Sequence, residues 1–184
     1  MIKNWKTKED ILIDNYKIFE LHKVIRITED NLKEGNFVYL DSPDWVNVIP
    51  VTKDNKILLI EQFRHGTNEI TLEIPGGMVE PNEDPASAGM RECMEETGYG
   101  SLGIAELLGI MTPNPAFLSN KCYSYLWNNV DKLYEQKLDK HEEINVIEAT
   151  WNEIFNYIKN GKVRHSLVLN AFFFFSLKYL NGIS

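Results

Sequence analysis

Residues 77–99 read GMVEPNEDPASAGMRECMEETGY, and no other stretch constrains this chain as strongly. Asp84 followed by Pro85 is a helix N-cap and first-turn pair, and Gly98 after Thr97 is a terminator, so the spacing predicts a helix over 85–97. On that helix Glu92, Glu95 and Glu96 fall within one arc of about 100°. Ala86, Met90, Cys93, Met94 and Thr97 take the opposite side, the side a helix buries. Like charges three and four apart cost a helix roughly 0.3 kcal/mol per pair, and a merely solvated face would more naturally intersperse lysines. A hard divalent cation, Mg²⁺, Mn²⁺ or Ca²⁺, held between the carboxylates accounts for the pattern. An acidic surface helix is the alternative that three glutamates alone leave open. Just upstream, Ile74-Pro75-Gly76-Gly77 ends an apolar strand in two glycines, where bare backbone approaches a ligand.

Gly77, Glu83, Arg91, Glu92, Glu95, Glu96 and Gly98 satisfy the pattern G-x5-E-x7-R-E-U-x-E-E-x-G-U, in which U is a bulky apolar residue. That pattern is the signature of the Nudix hydrolases, which this chain resembles. Two U positions depart from the usual Ile, Leu or Val, being Cys93 and Tyr99, so altered packing with intact chemistry is expected. Gly89 stands where close relatives carry alanine; mid-helix it costs ~1 kcal/mol, and it would permit close approach of helix to sheet. The resemblance implies that the Gly76 carbonyl, Glu92 and Glu96 are metal ligands, with Glu95 a further ligand, direct or through water. It makes Arg91 and Glu83 positioning residues of the catalytic cluster, one holding the acids in their rotamers and the other tying loop to helix. Mg²⁺ is the implied cofactor, with Mn²⁺ able to substitute.

Alternating apolar and polar residues over 15–27 and 36–41 predict an arm of two antiparallel strands joined around 29–35. Residues 44–52 and 56–63 read as a hairpin turned at Asp54-Asn55, and 71–75 as a short strand leading into the glutamate-rich segment. Strands follow at 104–111, 122–127 and 144–150, then helices near 153–160 and 166–180 separated by Gly161. Strands on both sides of a central helix, with terminal helices to cover the sheet, predict an α/β protein, an α/β/α sandwich on a mixed sheet. The resemblance implies the same architecture, the Nudix fold. We expect an N-terminal arm over 1–43 that serves dimerisation and a hydrolase domain over 44–184.

Gln62-Phe63-Arg64 shortly before Glu73-Ile74-Pro75-Gly76-Gly77, together with the N-terminal strands, is similar to the ADP-ribose pyrophosphatase branch. That branch hydrolyses ADP-ribose and other nucleoside diphosphate sugars. There the residue matching Arg64 contacts the diphosphate or terminal ribose phosphate, a task that suits a planar fork of donors. Gln62 is a further candidate substrate contact. Glu73 either hydrogen-bonds the sugar or belongs to an inner structural shell. Residues 112–117 (TPNPAF) depart from the loop typical of ADP-ribose enzymes and are expected to shape the sugar end of the pocket. Phe117 and Trp45 are candidates for stacking on a base, or else core or dimer-interface aromatics, and Trp5 shares that ambiguity. In this branch a glutamate on a loop before a late strand activates the attacking water. The matching stretch here is His141-Glu142-Glu143-Ile144, which puts Glu142 first, Glu143 second and Glu95 as the alternative base within the helix.

The implied activity is metal-dependent hydrolysis of a pyrophosphate bond, giving a nucleoside monophosphate and a sugar phosphate. Alternatives are another Nudix substrate (a dinucleoside polyphosphate, NADH or coenzyme A) or a non-catalytic nucleotide-sugar sensor. A net charge of −8 speaks against nucleic acid held on a basic surface. Two cysteines do not make a disulfide framework. The polar N-terminus and the short, interrupted apolar stretch over 167–180 predict a cytoplasmic protein without a membrane span. The resemblance further implies a homodimer.

Overall fold

The computed structural model describes residues 1–179. The chain divides into two compact units, one formed by Met1–Asp44 with Thr112–Lys121, the other by Trp45–Met111 with the chain from Cys122 onward.

The first unit is a three-stranded antiparallel sheet in the order β1 (Trp5–Tyr16), β2 (Phe19–Thr28), β3 (Glu34–Asp41). This corrects the expected two-strand arm. The chain turns at Lys17, at φ 26°, so 15–27 is not one strand but the end of β1, a turn and most of β2. β1 escaped the periodicity argument because all of its residues are exposed, and WKTKEDILIDNY therefore carries no inside–outside alternation. Trp5 packs edge-on against Phe37 with ring centroids 5.7 Å apart. The 112–121 segment belongs to this unit: the Leu40 N–H donates to the Phe117 carbonyl (2.8 Å) and the Ser119 hydroxyl to Asp41 (2.5 Å).

The second unit holds an eight-stranded mixed sheet. Its strands are β4 (Trp45–Thr52), β5 (Ile57–Arg64), β6 (Glu69–Glu73), β7 (Gly76–Met78), β8 (Tyr99–Gly100), β9 (Glu106–Met111), β10 (Cys122–Lys132) and β11 (Ile144–Ala149). The main order is β11-β5-β4-β10-β8, with β6 on β5, β7 on β4 and β9 on β10. The expected turn between β4 and β5 is present, with Asn55 at φ 58°, and the strands pair at Val51 and Ile57. Beyond that point they are not a simple hairpin. β4 runs antiparallel to β7 and parallel to β10, while β5 pairs with β6 and β11. β4 and β5 lie inside the sheet and feed a core on each of its faces, which is why Val46–Val51 and Ile57–Ile60 are continuously buried.

Among the described residues three helices cover this sheet: α1 (Pro85–Thr97), α2 (Trp151–Lys159) and α3 (Ser166–Tyr179). Val46, Val48, Leu58, Tyr125 and Trp127 pack with Ala88 and Cys93 of α1. Ile49, Val51, Ile57, Leu59 and Leu126 pack with Ile154 of α2 and with Val168, Ala171 and Phe172 of α3. Alternate residues of the same strands thus feed two cores, giving the helix–sheet–helix layering read from the sequence. α2 begins earlier than expected because Thr150 is its N-cap, in a reciprocal capping box with Glu153. α3 follows the expected span to Tyr179; Leu180 lies outside the described residues. No helix among the described residues is long and apolar enough to cross a membrane.

Candidate active site

α1 is placed by its ends and by one glycine. Asp84 accepts the Ser87 N–H, Pro85 fills the first turn, and Gly98 closes the helix in the left-handed conformation at φ 73°. A Cβ on Gly89 would come 2.8 Å from Cγ2 of Val48 and 2.9 Å from Cγ2 of Val46. The glycine that weakens the helix therefore lets α1 lie against β4. The last turn is held by the end of β10 and the segment that follows it. Lys132 donates to the Thr97 carbonyl (3.0 Å), the Tyr134 N–H to Gly98 (3.0 Å), the Lys137 N–H to Glu95 (2.8 Å) and the Gln136 side chain to Glu96 (2.6 Å). These donors satisfy the carbonyls that a helix end leaves unpaired. Gln136 also donates to the Ile144 carbonyl (3.1 Å), which anchors the 138–143 loop between α1 and β11.

The acidic arc is not a solvent face. Glu96 is 5% exposed and accepts the Gly76 N–H at 2.9 Å. Any side chain on Gly77 would strike the Glu92 carboxylate, 2.5 Å from the ideal Cβ position, and one on Gly76 would strike the Val46 carbonyl at 2.3 Å. The two glycines let backbone pass directly over the glutamates. Arg91 stands among them, donating to Glu83 through Nε (2.9 Å) and Nη2 (3.0 Å), to Glu92 and Glu95 through Nη1 (3.0 Å each), and to the Met78 carbonyl (3.2 Å). Glu83 in turn accepts the Glu80 N–H. This is the loop-to-helix tie expected of Arg91 and Glu83. The hydrogen bonds to Glu83, with Glu92 and Glu95 behind them, hold the Arg91 guanidinium above its ordinary value against its partial burial.

One guanidinium does not balance these acids. Burial pushes the Glu96 carboxyl up to about 8, with the Glu92 and Glu142 charges adding to the effect, and burial also raises Glu92. Three carboxylates beside a bare backbone turn, two of them desolvated without full compensation, form an oxygen donor set of the kind that suits a hard divalent cation. The residues fit the metal that the sequence pattern implied.

A second charged network flanks the first. Glu73, 2% exposed, accepts Arg64 in a fork, Nε to Oε1 (2.9 Å) and Nη2 to Oε2 (2.7 Å). Thr71 donates to Oε1 (2.6 Å), and His165 Nδ1 lies 2.9 Å from Oε2. Burial raises the Glu73 carboxyl, yet the hydrogen bonds of Arg64, His165 and Thr71 outweigh it and hold the group well below the usual carboxylate range. Arg64 is raised by Glu73 first, and it also senses Glu96 and Glu142.

The expected residues therefore do not all meet. Arg64 and Glu73 join, Glu96 feels the charges of Glu92, Glu142 and Arg64, and the charge of Glu142 also acts on Arg64 and Glu92. Glu142 is exposed and accepts the Asp139 N–H at 3.1 Å, and neighbouring Glu143 is exposed too. Gln62, two residues before Arg64, has a buried Nε2 with no hydrogen bond among the described residues. Trp45 opens β4 opposite Met78. Phe117 lies in the first unit, lining a shallow concavity with Lys23, Phe37 and Val38. His165, Thr71 and Gln136 were not singled out by sequence. His165 is 92 positions from Glu73, and no local pattern marks it.

Residues 42–169 match the model of the NUDIX domain. The chain belongs to the Nudix family. It is a Nudix hydrolase in which every fixed position of the glutamate box is kept. It is 34% identical over 130 residues, 70% of each chain, to the methanol dehydrogenase activator of Bacillus methanolicus. It is 28% identical over 178 residues, 94% of this chain and 96% of the other, to the ADP-ribose pyrophosphatase of Bacillus subtilis (strain 168). Its fold matches a crystal structure of an ADP compounds hydrolase at a TM-score of 0.84, covering 99% of this chain and 97% of that one at 17% identity.

Proposed function

We propose that the protein hydrolyses the pyrophosphate bond of ADP-ribose or a related nucleoside diphosphate sugar with the help of Mg²⁺, releasing a nucleoside monophosphate and a sugar phosphate. The observation that carries this reading is the undercompensated pair of half-buried Glu92 and buried Glu96 beneath the Gly76-Gly77 turn. The likeness to an ADP-ribose pyrophosphatase along nearly the whole chain supports the substrate class. Glu92, Glu95, Glu96 and the Gly76 carbonyl hold the cation, with Mn²⁺ as a substitute. When bound, the cation supplies neutralisation of the charge that builds on phosphoryl oxygens. Arg91 keeps Glu92 and Glu95 in place. Arg64, its fork anchored on Glu73, offers its remaining donors to the diphosphate. Glu142 takes a proton from the attacking water, which displaces the second phosphate in line. Glu95 and Glu143 are the alternative bases. Gln62, Trp45 and Phe117 are candidate substrate contacts, the two aromatics as stacking faces.

The test is product release from a fixed panel of ADP-ribose, GDP-mannose and UDP-glucose, with Mg²⁺ and with chelator. Hydrolysis that needs the metal and favours one panel member is expected. Equal rates in chelator would sink the metal assignment, and no hydrolysis of any panel member would sink the substrate class. The likeness to a methanol dehydrogenase activator brings a second reading, action on a partner dehydrogenase. It is checked by adding the purified protein to a methanol dehydrogenase assay. We also propose that the chain is a homodimer formed through its first unit, whose strands expose Trp5, Ile11, Ile13, Phe37 and Val38. Light scattering on the purified chain tests this.

A further inference from the structure

Glu73 has no free acceptor position. A carboxylate offers about four lone-pair sites, and here each oxygen takes two donors: Arg64 Nε and Thr71 Oγ1 on Oε1, Arg64 Nη2 and His165 Nδ1 on Oε2. The four donors come from three separate places, β5, β6 and the residue that precedes α3. His165 is itself fixed, since its carbonyl accepts the Leu169 N–H at the start of α3. Because Glu73 is buried and ionised, its partner at Nδ1 must carry a proton there, so the imidazole donates whether it is neutral or charged.

From this saturation we infer that His165 is a positioning residue of the pyrophosphatase site, acting through Glu73 to set the plane of the Arg64 guanidinium. The inference rests on the function proposed above. Arg64 alone leaves the Glu73 carboxylate free to rotate about its last bond, carrying the fork with it. Thr71 fixes one oxygen, and His165 fixes the other. With both pinned, Arg64 keeps Nε and one edge of Nη2 on Glu73, and Nη1 with the other edge of Nη2 remains for phosphate oxygens. A bidentate contact loses most of its value when its plane is misaligned, so the effect belongs in substrate binding.

The experiment compares His165→Phe, which keeps a ring and removes the donor, with His165→Ala and His165→Asn, the last of which restores an N–H near Nδ1. Steady-state kinetics on the best diphosphate of the panel is read beside the exchange rate of the Arg64 Nε–H resonance, assigned by its loss in Arg64→Lys. His165→Phe and His165→Ala are expected to raise KM about tenfold with kcat within about twofold, and to speed Arg64 Nε–H exchange. His165→Asn is expected to return both readouts to within about threefold of the native chain. If kcat falls while KM holds, if Arg64 exchange is unmoved, or if Asn fails to rescue a chain that melts normally, the inference is overturned. A native protein inactive on every diphosphate would defeat the proposed function alone. The Arg64 resonance would still decide the role of His165.

Discussion

Arg91 and Glu73 are both charged hubs, and their surroundings are opposite in sign and in balance. Arg91 is a cation among acids, bound to Glu83, Glu92 and Glu95, and it leaves Glu96 and part of Glu92 uncompensated, with carboxyls pushed upward by burial. Glu73 is an anion among donors, every acceptor position taken and its carboxyl held low. An unbalanced buried cluster is costly unless something of opposite charge arrives, whereas a saturated one is complete as it stands. The first arrangement suits a site that receives a cation. The second suits a support that keeps an arginine in place.

Substitutions can break this contrast, and the largest effect is expected at Glu96. Glu96→Gln should lower kcat about a thousandfold while circular dichroism and melting stay near native. A loss of fold instead would make Glu96 a support like Glu73. Next in size, Glu142→Gln should cost about a hundredfold in kcat and Glu143→Gln less than about threefold, measured side by side. Equal effects would remove the distinction between the two loop acids.

The Glu73 hub should show itself in stability. Glu73→Gln should cost about 2 kcal/mol by urea unfolding at neutral pH, the modest figure reflecting an Arg64 side chain that is 42% exposed and screened by solvent. The sign of its pH dependence follows from the lowered folded-state pKa. Glu73 stabilises the native chain fully above the ordinary glutamate value of 4.5, and that contribution is lost as pH falls below it. Acid unfolding curves should therefore be steeper for the native chain than for Glu73→Gln, and parallel curves would contradict the saturated network. The smallest effect is expected at Gly89→Ala. A gain of ~1 kcal/mol in helix propensity should be outweighed by overpacking against Val46 and Val48, a net loss of about 1 kcal/mol read as a small drop in melting temperature.

Much of the site was legible because it is local. Spacing along one helix put Glu92, Glu95 and Glu96 together, Asp84-Pro85 and Gly98 marked its ends, and Gly76-Gly77 announced a close approach of backbone. The geometry of a single turn of chain sets those relations, so residue type and interval were enough. β1 stayed hidden because a strand exposed along its whole length writes no alternation. The neighbours of β4 stayed hidden because pairing with β10, where Trp45 meets the distant Cys122, is a choice among many strands of similar apolar content.

What the sequence by itself determined was the acidic helix, its chemistry and the family whose pattern it carries. Only the tertiary structure decided that Glu96 is buried, that the charge of Glu142 reaches the acidic cluster, and that His165 closes the last acceptor of Glu73. The reason is that burial and the summed field of distant charges are properties of packed elements, and no interval along the chain encodes which of them will meet.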